Sequence, residues 1–60
     1  MKEYLVYIPI TEYWVFKIEA SSEAAAIKAG ETGQDEMGNQ VEQVWSEAAG
    51  KTAKARATEI

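Results

Sequence analysis

Sixty residues make one small domain, 1–60, near the lower limit of what an apolar core holds together without staples. The chain has no cysteine and no histidine, which excludes a disulfide framework, a zinc–thiolate site and the commonest imidazole ligands; no metal and no cofactor is expected. Ten acidic against six basic residues give a net charge of −4, a balance that disfavours direct nucleic-acid binding and permits docking on a basic protein surface, although solubility alone also explains it. No apolar run approaches the ~20 residues that span a bilayer, so no membrane contact is expected. No basic-then-apolar leader opens the chain, and a cytoplasmic location follows as the expectation.

The first elements alternate with period two. In "KEYLVYIPI", Tyr4, Val6, Ile8 and Ile10 share one face, with Leu5, Tyr7 and Pro9 on the other. In "YWVFKIEA", Trp14, Phe16, Ile18 and Ala20 stand opposite Tyr13, Val15, Lys17 and Glu19. Both segments are rich in β-branched and aromatic residues, and the short polar "TE" between them predicts an antiparallel hairpin. Pro9 cannot donate to the ladder, so pairing ends near it and leaves a loop of about 3–5 residues. That register sets Ile8 against Trp14, Val6 against Phe16 and Tyr4 against Ile18, with the even-numbered side chains as the core.

"SSEAAAIKAG" predicts a short helix. Ser21 or Ser22 caps its first amides, Glu23 complements the positive end of the dipole, and Gly30 suits a left-handed stop. Ala24 and Ile27 fall toward Ala20, with Ile27 as the anchor. A helix this short must dock on the hairpin, since it is not stable alone in water. "ETGQDEMGNQ" is a polar loop. "QVEQVWSEA" fits a third strand with Val41, Gln43 and Trp45 on one face; it also fits a helix, with Val41, Val44, Trp45, Ala48 and Ala49 at helical spacing. The strand is preferred because a hairpin and one helix make a thin fold. "GKTAKARATEI" alternates Ala53, Ala55 and Ala57 against Lys54, Arg56 and Thr58, which fits a weak edge strand or a partly ordered tail over 50–60. The expected fold is therefore α+β: a small antiparallel sheet with one short helix on one face, in the order ββαβ(β), with ββαα as the alternative.

Motifs for chemistry are weak. "AAGKT" echoes half of a phosphate-binding loop, but Trp45 stands where the first glycine belongs. Asp35, Glu36 and Asn39 lack the ligand spacing of a calcium loop. A domain this small has little interior left for a water-excluding pocket once its core is filled, so the carboxylates do not point to catalysis. Lys51, Lys54 and Arg56 form a small basic cluster that reads as a solvated face. The strongest functional signal is apolar: Leu5, Tyr7, Tyr13 and Val15 share the second face of the hairpin, rimmed by Lys17 and Glu19. Such a patch marks a contact with another chain unless the C-terminal segment covers it. Asp35 and Glu36 are the candidate acidic contacts, able in one version to imitate phosphates.

A strand, a short "TE" turn, a second strand and "IEASSEAAAIKA" resemble the DpnD/PcfM-like group of small phage and plasmid proteins. The matching positions are Thr11, Glu12, Glu19, Ala20, Ser22, Glu23 and Ala24, in the first half of the chain. The chain is also similar in size, acidity and element order to short anti-CRISPR inhibitors. The resemblance implies no enzymatic activity and suggests a mobile-element protein that binds and blocks a host protein. The other expectation is a structural or self-assembling protein that forms a homodimer through the same face or the last strand.

Overall fold

The computed structural model describes residues 1–51 and 53–60; Thr52, the last residue of the AAGKT echo, lies outside them. Strands β1 (Lys2–Pro9) and β2 (Tyr13–Ala20) lead into helix α1 (Glu23–Thr32), followed by β3 (Glu42–Glu47) and β4 (Arg56–Glu59). The fold is α+β with both later segments as strands. The four strands form one antiparallel sheet in the order β3-β2-β1-β4, so the last strand returns beside the first, as in a Greek key.

The hairpin register follows from side-chain alternation and Pro9. Ile8 faces Trp14, Val6 faces Phe16 and Tyr4 faces Ile18, joined by the three-residue turn Ile10–Glu12. Tyr4, Val6, Ile8, Ile18 and Ala20 are buried on one face, against Ala26 and Ala29 of α1. Ala55 and Ala57 complete this layer from the C-terminal segment, with Ala57 set directly opposite Val6.

Local chemistry sets the ends of α1. Ser22 is the N-cap, its Oγ accepting from the Ala25 N–H at 3.2 Å. The helix stops at Gly33, in the left-handed region at φ 84°, whose N–H donates to the Ala29 carbonyl. The expected stop at Gly30 is corrected. Gly30 lies buried inside the helix, where a Cβ would come within 2.9 Å of Val6 Cγ1. Its missing side chain lets α1 settle onto β1. The inward face is accordingly Ala26, Ala29 and Gly30; Ala24 is exposed and Ile27 only half-buried, so Ile27 is not the main anchor.

Two further expectations are corrected. Alternation places Trp14 and Ile10 in the core with their even-numbered neighbours, but Trp14 is 38% exposed and Ile10 lies open at the turn. The helix contacts β1, β2 and β4 but not β3, so Trp14, with Ser46 as its β3 neighbour, has no helical roof on that side. Gln43 and Trp45 do not share a face. A bulge in β3 sets Gln43 opposite Phe16 and Trp45 opposite Val15, which turns the indole to the far side of the sheet. Among the described residues, no helix is long and apolar enough to cross a membrane.

Candidate partner-binding surface

The face of the sheet away from α1 carries one row of residues in register across all four strands: Arg56, Tyr7, Val15 and Trp45. The aromatic rings of this row lean together. Tyr7 and Trp45 meet edge to face with centroids 6.4 Å apart, although β2 lies between their strands. Tyr13 packs edge-on against Tyr7 at 5.8 Å, and the Arg56 guanidinium sits 3.8 Å from the Tyr7 centroid. Trp45 Nε1–H donates to Glu47 Oε2 at 3.1 Å, which steadies the indole.

This row decides the fate of the sequence-derived candidates. Val15 is 0% exposed, because it occupies the strand between β1 and β3 and the flanking rings of Tyr7 and Trp45 close over it. Val15 is therefore corrected from a contact residue to the centre of a second, small core. Leu5, Tyr7 and Tyr13 remain half-buried on this face, with Leu5 between Lys17 and Thr58. Among the described residues, the C-terminal segment meets this face where β4 lies beside β1 and Arg56 reaches over Tyr7 toward Tyr13, and at Lys54, whose carbonyl accepts the Tyr13 hydroxyl at 3.2 Å. Trp45 at 41% and Val44 at 43% exposure extend the accessible apolar surface to the β3 edge, where all six strand residues are exposed. Neither Trp45 nor Arg56 was among the sequence candidates. The indole's side depends on the bulge, and Arg56 reaches Tyr7 only through the β1–β4 pairing.

The two acidic candidates behave differently. Asp35 Oδ1 accepts the N–H groups of both Met37 and Asn39 at 2.9 Å, closing the turn in which Gly38 adopts φ 80°. Glu36 Oε1 accepts the Ser21 hydroxyl at 2.6 Å and the Ser21 N–H at 3.2 Å, tying the loop back to the start of α1. The hydroxyl bond first, then the amide bond, holds the Glu36 carboxyl below its ordinary value of 4.5. Both side chains thus fasten the 34–41 loop. Beside them, Ala25, Lys28 and Thr32 line a shallow open cleft.

Because the folded pKa of Glu36 is depressed, its tie stabilises the fold above the unfolded carboxyl's range and is lost as pH falls through the folded value, below 4.5. Glu36→Gln is expected to raise amide exchange at Ser21 and to remove that part of the acid dependence. Exchange of the Ser21 amide unchanged between wild type and variant across this pH range contradicts the tie.

Comparison with protein-family models, with curated proteins and with solved structures found no match for this chain.

Proposed function

We propose that the chain is a small, acidic, non-catalytic protein-binding module that engages its partner through the open face of the sheet. The observation that supports it most is the Tyr7/Tyr13/Trp45 cluster: three aromatic side chains and Leu5 on a face that α1 leaves uncovered, continuous with an exposed strand edge. Aromatic residues with an apolar body and a polar tip, rimmed by charge, are what protein interfaces favour at their centres. Arg56, Lys17 and Glu47 supply the rim here.

A mobile-element inhibitor of a host protein is the form suggested by the DpnD/PcfM-like and anti-CRISPR-like features of the sequence. Its aromatic version has more support than phosphate imitation by Asp35 and Glu36. Each of those carboxylates already accepts two hydrogen bonds within the chain, and partner binding through the same oxygens would compete with the loop's own closure. A second reading, self-association, is favoured by β3 and β4, which form the two edges of the sheet.

A photoreactive phenylalanine analogue tests the first reading. Placed at position 45, it is expected to cross-link one defined partner, whereas the same group at Ala24 on the exposed side of α1 gives none. Equal labelling from both positions, or capture abolished by Glu36→Gln with position 45 silent, contradicts the open-face reading.

A further inference from the structure

We propose that copies of the chain join edge to edge, β4 of one molecule against β3 of the next, so that the sheet continues from copy to copy. The seam takes in the β3 margin of the open face, with Trp45 beside Thr58 of the next copy, and the inference rests on the self-association reading rather than on capture of a different partner.

Direction and side-chain facing both allow it. β3 runs parallel to β1, and β4 runs opposite to both, so a copy displaced sideways presents β3 antiparallel to β4. Arg56 and Thr58 lie on the open face, as do Glu47 and Trp45, while Ala57 and Ser46 lie on the helix face. A register of Arg56 against Glu47, Ala57 against Ser46 and Thr58 against Trp45 of the next copy therefore keeps both faces of the sheet continuous. α1 packs on the face of β4 and does not contact β3.

Charge selects this pairing over the alternatives. The charges on β3 are Glu42 and Glu47, without a cation on the strand. Arg56 is the cation of β4 itself, and two more of the six basic residues, Lys51 and Lys54, precede the strand. Glu59, the acid on β4, already pairs with Lys2 at 3.3 Å. Two β3 edges brought together would concentrate four carboxylates, the kind of like-charge guarding that discourages edge pairing. Glu47 instead attracts Arg56 at the start of the next copy's β4. The contact joins two different surfaces, so it does not close at a dimer, and it builds rings or filaments.

Sedimentation velocity over about 20 µM to 1 mM tests this, at salt concentrations of about 0.01 M and 1 M, where the screening length falls from ~30 Å to ~3 Å. The expected result is a mass that rises with concentration past the dimer at low salt and collapses toward the monomer at high salt. Glu47→Lys and Arg56→Glu are each expected to sediment as monomers, and an equimolar mixture to associate again, because every contact in an alternating chain then pairs opposite charges. If circular dichroism shows that losing the Tyr7 stack unfolds Arg56→Glu, Glu47→Lys added to the wild type replaces the mixture. Its own Arg56 still caps a wild-type β3 but the lysine on its β3 accepts no further copy, so the wild-type assembly is expected to shorten, and an assembly of unchanged mass overturns the proposal. A wild-type monomer at about 1 mM and low salt, a plateau at dimer, or a mixture that stays monomeric each overturns the proposal.

Discussion

Val15→Asp is expected to leave the domain largely unfolded at neutral pH. Val15 is fully enclosed under the Tyr7 and Trp45 rings, and on its own row the Arg56 cation is already stacked on Tyr7. Leaving a carboxylate in such a place costs several kcal/mol, comparable to the whole stability of a domain this small, roughly 3–5 kcal/mol. Far-UV circular dichroism and thermal melting read the effect directly. Val15→Thr, which keeps the shape and replaces one methyl group with a hydroxyl, is expected to cost about 1–3 kcal/mol and to retain the fold. Trp14→Ser serves as the comparison: it removes a larger side chain that is 38% exposed, and it is expected to be tolerated better than Val15→Asp. A Val15→Asp protein that melts like the wild type would show that the aromatic roof is not closed in solution.

Gly30→Val is the second large effect. A Cβ at this position stands 2.9 Å from Val6 Cγ1 and 3.0 Å from Ile8 Cδ1, and valine adds two methyl groups beyond it. Val6 is fully buried and β-branched, so its χ1 is restricted and it yields little. The helix must lift from β1, at an expected cost of about 1–3 kcal/mol or more, and each kcal/mol lowers the melting temperature of a domain of this size by roughly 4–8 °C. Gly30→Ala sharpens the test. At an open helix position alanine gains about 1 kcal/mol over glycine, whereas here the strain against Val6 cancels that gain or exceeds it. A Gly30→Ala variant stabilised by the full propensity difference would mean that α1 does not approach β1 this closely.

Both variants concern residues whose roles the chain pattern left open. Alternation along β1 and β2 separates two sets of side chains, and the hairpin register follows from that separation and from Pro9, since a one-residue slip would exchange the faces. The capping serine, the short alanine-rich helix and the loop after it are equally local, and they were legible. In β2, however, both sets are apolar: Trp14 and Phe16 on one side, Tyr13 and Val15 on the other. Periodicity says that such sets point apart and does not say which is better covered. Gly30 is a similar case, because a glycine at the end of an alanine run reads as a stop until the distance to β1 shows that it serves close packing.

The amino-acid order by itself determined the α+β class, the hairpin and its register, a helix start at Ser21 or Ser22 and the exclusion of thiol and imidazole chemistry, because each of these depends on neighbours along the chain or on composition. Tertiary structure decided that Val15 is inside and Trp14 partly outside, that Trp45 joins Tyr7 across β2, and that Asp35 and Glu36 are loop fasteners. Those outcomes depend on which strand lies beside which and on where one short helix stops covering the sheet. Contacts between residues 30 or more positions apart, such as Tyr7 with Trp45 and Tyr13 with Lys54, set them, and local pattern carries no record of such pairs.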